Sequence, residues 1–421
     1  MTARRTLLES GVTVVSEAMP VRGVAFGMYF PTGSRNETRD NNGISHFIEH
    51  LVFKGTERRS ADEINREIDL LGGASNAYTS KEVICFHARV LGEHLPRIVE
   101  FFADMASGAL PEGVDPEVER ERDVILSEIS AVEDAPEDLV GDLCDEAFFG
   151  PHPLALPVVG TADAVERIKL DEIRRHFRNH LVAPGLVVAA AGAVEHEPLV
   201  ALVREHLAGL PRVRGLDALD APTPRPATRL LERDTEQVQV CLSAGGVSRG
   251  DPRRTALDLL SLAVGDGFSS RLFREVRDRR GLAYSIYSSP SAYIDCGSFN
   301  IYFGVAPERV REALDVVGKV LAEIRAGGLR EDELEAARLH LRGSTLLAQE
   351  SSSARMGYLA EQALLGSDQL DYHHDIEIAN ATTLGDLREL AAELLAQPLA
   401  AAVVGPAHDG SLPEGGFEIG A

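Results

Sequence analysis

The chain has 421 residues, of which 42 are Lys or Arg and 66 are Asp or Glu, so its formal net charge is −24. Hydrophobic residues make up 44% of it, and no apolar run approaches the length of a membrane span. The length predicts about two domains, each large enough for its own core. The negative charge disfavours nucleic acid and anionic membranes as partners. It either favours basic peptides or serves only solubility, and the sequence leaves both interpretations open.

The N-terminal segment contains two arginines but lacks the apolar stretch of roughly 7–15 residues that marks a signal peptide. It is predicted instead as a strand, a turn and a second strand at residues 13–17. The four cysteines are scattered and form no C-x-x-C pair: Cys85, Cys144, Cys241 and Cys296. This pattern predicts buried free thiols in a reducing compartment, and therefore a cytoplasmic protein.

From His46 to His50 the chain reads H-x-x-E-H. In a helix the two imidazoles lie one turn apart, and Glu49 shares their face. Two histidines at this spacing can chelate one zinc ion, and the carboxylate between them can reach a catalytic water. The order reverses the zincin motif and is the inverzincin pattern. Residues 41–43 are predicted to cap the helix. The alternative is three polar residues on the solvated face of an amphipathic helix.

The elements after this motif have clear boundaries. Ser60 and Glu63 form the sequence signature of a capping box, and Gly72-Gly73 ends the helix that follows it. Alternating apolar residues predict a strand pair at 74–80 and 83–90, and a helix is predicted at 93–107.

Another helix is predicted to begin at Asp115-Pro116, which combines an N-cap residue with proline at the first helical position. Glu121 and Glu128 lie two turns apart on it and so share a face, which Val124 and Ile125 are predicted to anchor to a core. Catalytic zinc usually has three protein ligands, and this face is a candidate source of the third. The alternative is an acidic, solvated helix.

The second half repeats the order of the first. Its predicted elements are a strand at 237–244, helices at 254–264 and 272–279, strands at 283–289 and 297–305, and a helix at 308–325. Between the halves, residues 211–227 have a linker composition. We therefore predict a metal-bearing domain at 1–210, a linker at 211–227 and a homologous domain without metal at 228–421. At the place of the two histidines the second half has apolar residues and Gly265-Asp266-Gly267.

Four segments carry a resemblance to a known family: 33–56, 72–83, 119–129 and 271–289. They occur in order across both halves and resemble the pitrilysin and mitochondrial processing peptidase family, particularly its bacterial half-length members. The resemblance implies an α+β fold with two homologous domains, each a mostly antiparallel sheet packed with helices. It also implies a zinc-dependent endopeptidase that cleaves unfolded or extended peptides and holds one Zn²⁺ per chain.

The resemblance also assigns roles near the metal. Glu128 would be the third zinc ligand beside His46 and His50, and Glu49 would be the general base. Glu121 would be a further carboxylate of the catalytic centre that orients a ligating histidine.

Substrate contacts are implied in both halves. Asn76, Ala77 and Tyr78 would form an edge strand that pairs with an extended peptide. Arg277 and Tyr284 would hold the substrate carbonyl region, with Tyr284 donating to the developing oxyanion. The alternatives are an ordinary interior strand for the first set and a solvated basic face for Arg277.

The family also contains degenerate, non-catalytic peptide-binding subunits, which lack metal ligands or the base, whereas this chain has all four positions. A protein with a structural zinc site is a further alternative, although such sites have four ligands. Double-length members close like a clamshell, and this chain has half that length. It is therefore predicted to form a homodimer with composite sites, or a heterodimer with an inactive sister subunit.

Overall fold

The computed structural model describes residues 3–107, 110–111, 113–212, 219–406 and 416–419. Residues 213–218 of the predicted linker lie outside the described residues. The chain divides into two compact units. Unit 1 consists of Met1–Ser130, Leu156–Leu219 and Leu346–Tyr372; unit 2 consists of Ala131–Ala155, Asp220–Thr345 and His373–Ala421.

These units differ from a contiguous division of the sequence in two segments. Residues 131–155, from the first half, belong to unit 2, and residues 346–372, from the second half, belong to unit 1. Each half therefore gives one helical segment to the other unit. The prediction of domains at 1–210 and 228–421 did not include this exchange.

The strands of the described residues are β1 Arg4–Leu7, β2 Thr13–Ala18, β3 Gly23–Phe30, β4 Ala74–Thr79, β5 Ile84–Leu91, β6 Val187–Gly192, β7 Thr228–Glu232, β8 Val238–Gly245, β9 Ala283–Ala292, β10 Gly297–Val305 and β11 Ala400–Gly405. The α-helices of the described residues are α1 Ile44–Leu51, α2 Ala61–Leu71, α3 Leu95–Ala106, α4 Asp115–Glu133, α5 Pro136–Phe149, α6 Ala162–Arg167, α7 Leu170–His180, α8 His196–His206, α9 Arg254–Val264, α10 Val310–Gly327, α11 Glu331–Ala348, α12 Ser352–Leu364, α13 His373–Ala381 and α14 Leu384–Leu394. Among them no helix is both long and apolar enough to cross a bilayer.

The two sheets share one topology. Unit 1 has the strand order β1-β2-β6-β3-β5-β4, and unit 2 has the order β7-β11-β8-β10-β9. Each sheet contains one parallel pair, β2 with β6 and β7 with β11, and its other pairs are antiparallel. From β2 and β7 onward the orders coincide. The predicted α+β fold with two related, mostly antiparallel sheets is therefore confirmed.

Both faces of the unit 1 sheet are buried. Along β3, Phe26 and Met28 face the larger core, which also contains Phe47 of α1, because side chains alternate along a strand. Ala25 and Tyr29 face the opposite side, where α12 contributes Met356, Leu359 and Ala360. In unit 2, helices such as α9 and α10 cover one face of the sheet, and α5 covers the other.

The predicted helix at 272–279 has a different geometry. Residues Phe273–Asp278 form a π-helix, with bonds such as Arg279 N to Arg274 O at 3.0 Å. The hydrophobic pattern predicts a helix here, but it does not distinguish a π-helix from an α-helix. π-Helical turns are rare and often occur at functional sites.

Candidate active site

The metal-motif helix α1 begins directly after Gly43, which has a φ of 95°. Gly43 is the N-cap residue, as predicted, but no side chain of residues 41–43 caps the helix. The cap is the carboxylate of Glu37, which accepts hydrogen bonds from Gly43 N at 2.7 Å and Ser45 N at 2.8 Å. It also accepts one from the Asn42 side chain at 2.9 Å. A carboxylate at this end of a helix also interacts favourably with the helix dipole.

Glu37 is almost completely buried, at 2% exposure. Burial raises the pKa of its carboxyl, while its bonds to Gly43, Ser45 and Asn42 act in the opposite direction. Since buried polar groups need partners, these three donors explain how the carboxylate is accommodated. The hydrogen bonds of Glu37 thus fix the backbone at the start of α1.

The two imidazoles of α1 lie side by side. The ring centroids of His46 and His50 are 4.7 Å apart, with an angle of 78° between the rings. His46 is buried, and burial together with the nearby His50 lowers its pKa to about 4. His46 is therefore neutral at pH 7, which is the state that binds a metal.

Glu128 of α4 completes a three-residue cluster with these histidines. Its Oε2 lies 3.6 Å from Nε2 of His46 and 3.5 Å from Nε2 of His50. All three candidate ligand atoms lie within 4.8 Å of one another. A tetrahedral zinc ion with bonds of roughly 2.0–2.1 Å separates its ligands by about 3.3 Å, so the cluster fits this ion. The Glu128 side chain is 45% exposed, which leaves access from solvent.

Glu121, also on α4, contacts the Nδ1 side of His50, opposite to the Nε2 atom that faces Glu128. Its Oε2 accepts a hydrogen bond at 2.9 Å from Nδ1 of His50, and its Oε1 lies 2.7 Å from Nζ of Lys54. The predicted arrangement of Glu121 and Glu128 on one face is present, and Ile125 anchors that face, as predicted. Val124 does not, because it is 43% exposed.

Glu49 lies between the histidines in sequence and is half-buried. Thr79 on β4 faces it: the Thr79 hydroxyl and backbone N–H interact with the carboxylate, and the hydroxyl also lies 3.4 Å from the carbonyl oxygen of Ser45. Burial raises the pKa of Glu49, whereas the Thr79 bonds and His50 lower it. Thr79 therefore connects the carboxylate beside the metal cluster to the neighbouring strand.

Strand β4 lies at the edge of its sheet. Ser80 N donates to Val83 O at 2.8 Å at the end of the β4–β5 hairpin. Because hydrogen-bonded pairs alternate in an antiparallel ladder, the backbone groups of Ser75, Ala77 and Thr79 point away from β5. The strand that carries Asn76, Ala77 and Tyr78 is therefore an edge, not an interior strand.

The side chains of this edge strand alternate between the faces of the sheet. Ala77 is buried on the same side as α1, whereas Asn76 and Tyr78 are exposed on the other side. Asn76 Oδ1 accepts the backbone N–H of Ala77 at 2.9 Å. Its carboxamide thus covers the outward amide that a paired peptide would use.

In unit 2, Arg277 and Tyr284 are brought together. The Arg277 guanidinium lies 4.6 Å from the centre of the Tyr284 ring and 4.8 Å from that of Phe273. Arg279 and Arg280 pair instead with Glu275, so Arg277 is distinct from the surrounding basic residues. The Tyr284 side chain is 76% exposed and available to a ligand.

Three contributors to the site were not assigned from the sequence: Glu37, Lys54 and Thr79. Glu37 lies six residues before Gly43, outside the usual capping positions. Lys54 follows the end of α1, and its partner Glu121 is distant in sequence. Thr79 was included in the edge strand, but alternation alone did not indicate a contact with Glu49.

Comparisons with known families cover most of the chain. Residues 13–162 match the family described as Insulinase (Peptidase family M16), and residues 167–341 match the Peptidase M16 inactive domain. The first match contains His46, His50 and Glu128, and the second contains Arg277 and Tyr284. This division agrees with the position of the candidate ligands, which in the described part of the chain lie in the first half.

Bacterial relatives match over nearly their full length. An uncharacterised zinc protease of Streptomyces coelicolor is 40% identical, with 97% of this chain and 90% of the relative covered. One from Mycobacterium tuberculosis is 39% identical (96% and 93% covered), and YmxG of Bacillus subtilis, also named an uncharacterised zinc protease, is 33% identical (97% and 99% covered).

Solved structures agree on the fold. A peptidase M16 inactive domain from Pseudomonas fluorescens has a TM-score of 0.90 at 21% identity, covering 97% of this chain and 98% of its own. A protease from Helicobacter pylori has a TM-score of 0.86 at 23% identity, covering 96% and 100%. Because the family models match both halves and relatives at 33–40% identity match over nearly the whole chain, the chain belongs to peptidase family M16.

Proposed function

We propose that this chain is a zinc-dependent endopeptidase that cleaves unfolded or extended peptides. The observation that carries the proposal is the carboxylate of Glu49 beside the cluster of His46, His50 and Glu128. In the described ranges this cluster has three ligand residues, as catalytic zinc sites do, whereas structural sites are closed by four. The relatives named zinc proteases support the same activity.

Zinc held by His46, His50 and Glu128 would supply a Lewis acid that polarises the scissile carbonyl and lowers the pKa of a water. Glu49 takes the proton of the attacking water at its carboxylate and delivers it to the leaving amine. Thr79 orients Glu49 for both transfers. Glu121 fixes His50 with its Nδ1 proton directed away from the metal, which leaves Nε2 free to bind.

The substrate would bind by adding a strand to β4. The outward backbone groups of Ser75 and Ala77 and the carbonyl of Thr79 can pair with any extended main chain, which gives affinity with loose sequence selectivity. The backbone N–H of Thr79 is already engaged by Glu49. Asn76 must first release the Ala77 amide, after which its side chain is free to bond to the substrate. The net charge of −24 favours basic peptides among such substrates.

Arg277 and Tyr284 would complete the site from a second copy of the chain. Their exposed, stacked arrangement suits contacts with a substrate carbonyl and its developing oxyanion. A symmetric homodimer would contain two such composite sites. A heterodimer with an inactive sister subunit is the alternative assembly.

The activity is tested by digesting a mixed peptide library and reading the cuts by mass spectrometry. We expect cuts in extended peptides that disappear with a chelator and return when zinc is restored. The Glu49→Gln variant serves as the control for contaminating proteases. Cuts that persist with the chelator, or that the variant makes equally well, would contradict the proposal.

Strand addition is tested with backbone N-methylation of one cleaved peptide. Because a strand uses every second amide to pair with its neighbour, methylating alternate positions should give unequal effects. One set should lose cleavage by at least tenfold, and the other should retain most of it. Equal losses from both sets would argue against pairing with β4.

A further inference from the structure

Lys54 lies just after α1, and its backbone N–H donates to Leu51 O at 3.0 Å. Its side chain is 33% exposed and turns back toward α4, where Nζ lies 2.7 Å from Oε1 of Glu121. We propose that Lys54 is a positioning residue for the metal cluster, acting through Glu121 on His50. The inference rests on the proposed zinc site and assigns a role to a residue outside the ligand set.

The two oxygens of Glu121 are divided between two partners. Oε1 contacts the ammonium of Lys54, and Oε2 accepts the Nδ1–H of His50 at 2.9 Å. The Glu121 side chain is only 8% exposed, so the solvent does little to stabilise its charge. An uncompensated buried charge is strongly unfavourable. Among the described residues, Lys54 is the cation that pairs with it.

Lys54 also determines which way Glu121 faces. With Oε1 held by the ammonium, Oε2 remains directed at His50, which fixes the imidazole as the Nδ1–H tautomer with Nε2 toward Glu128. Without Lys54, the carboxylate would be free to turn away from His50. Lys54 therefore acts on the geometry of a ligand that it does not touch.

The charge of Lys54 acts in the opposite direction on the metal. A positive charge close to the cluster repels a divalent cation, so removing the charge alone would tighten zinc binding. A weaker zinc affinity in Lys54→Met would therefore report the lost positioning of Glu121 and His50.

The test is zinc affinity, measured by competition with a chromophoric chelator. Loss of a partner beyond the ligands typically weakens metal binding about 10–100-fold. We expect Lys54→Met to raise the zinc Kd by about tenfold and Lys54→Arg to restore it to within about threefold of the parent. Lys319→Met removes an equal charge from an exposed helical position of unit 2 and should leave the Kd unchanged.

A double-mutant cycle decides whether Lys54 acts through Glu121. In the Glu121→Gln background, Lys54→Met should have little further effect on the zinc Kd, because the proposed intermediary is already gone. An unchanged Kd in Lys54→Met, or an equal loss in both backgrounds, would overturn the inference. Since zinc binding is measured without substrate, absence of peptide cleavage in the parent would contradict the proposed function and leave this result standing.

Discussion

Around Glu49, the candidate metal ligands are distinct from Thr79, the residue that contacts the proposed base. Glu49 is not one of the three candidate ligands, and it interacts with Thr79, a residue of the edge strand. A threonine in such a strand ordinarily reflects β propensity alone. Here its hydroxyl also limits where the carboxylate can point, so a β-strand residue is tied to the chemistry.

Thr79→Val should lower kcat by about tenfold, because it removes the side-chain donor to Glu49 and keeps the shape and strand propensity of the residue. The zinc Kd should not change, since Thr79 contacts none of the three ligands. Thr13→Val, on β2, is the matched control and should leave kcat unaltered. Peptide hydrolysis and zinc titration of both variants check this, and a Thr79→Val enzyme with parental kcat would refute the contact's role.

At the scale of elements, helix α1 depends on contacts from outside its own sequence. Glu37 caps its first amides, and α7 packs against it through His176, whose Nε2 lies 3.3 Å from Ser45 Oγ. The His176 ring stacks on that of His180, with centroids 3.7 Å apart. Helix α1 is only two turns long, so such contacts largely decide its stability.

Glu37→Gln should lower the free energy of unfolding by about 1.5–3 kcal/mol, the usual value of a hydrogen bond to a charged group. A Gln side chain has one oxygen and one NH₂ group. In either orientation its NH₂ group faces the backbone N–H of Gly43 or of Ser45, so one hydrogen bond is lost. Glu9→Gln, at an exposed position, is the control and should change the stability by less than about 0.5 kcal/mol. Urea denaturation checks both, and equal midpoints for Glu37→Gln and the parent would rule out the cap.

The buried His176 predicts a loss of stability in acid. Burial and the adjacent His180 lower its pKa from 6.5 to about 3, so between these values the unfolded chain binds more protons. Stability therefore falls as the pH drops below about 6.5. His176→Gln should reduce the loss between pH 7 and pH 4.5 by about 2 kcal/mol. Denaturation of the metal-free proteins at both pH values checks this, and identical losses would contradict it.

The elements also show why the sequence predicts some features and not others. Capping boxes such as Ser60 with Glu63 are local and were predicted correctly. The positions of α5 and α12 were not, because an apolar helix face indicates burial but not which sheet it covers. Glu37 was missed for the same reason, since its partners are fixed by the path of a loop.

At the scale of the whole molecule, the four segments that resemble the family predicted the family and the fold class, and the histidine pair in one half predicted a single metal-bearing half. These features extend over long segments with a regular pattern, which is why the sequence alone predicts them. Relations between copies of the chain are different, because no periodic pattern in one chain encodes them. The proposed composite site is therefore tested by combining two complementary variants of the chain.

A Glu49→Gln chain and an Arg277→Ala/Tyr284→Phe chain should each be nearly inactive alone. If sites are composite, co-expression should restore part of the parental activity, because a fraction of dimers would contain one intact site. Differently tagged chains and tandem purification would establish that mixed dimers exist. No recovery in purified mixed dimers would exclude composite sites.

The most direct test of the central claim is to measure zinc content and peptide hydrolysis together in three variants. We predict that Glu49→Gln retains one zinc per chain while hydrolysis falls by at least about 10²–10⁴-fold, as expected for loss of a general base. His50→Ala and Glu128→Ala should lose both zinc and activity. Parental zinc affinity in Glu128→Ala, or substantial hydrolysis by zinc-loaded Glu49→Gln, would contradict the account.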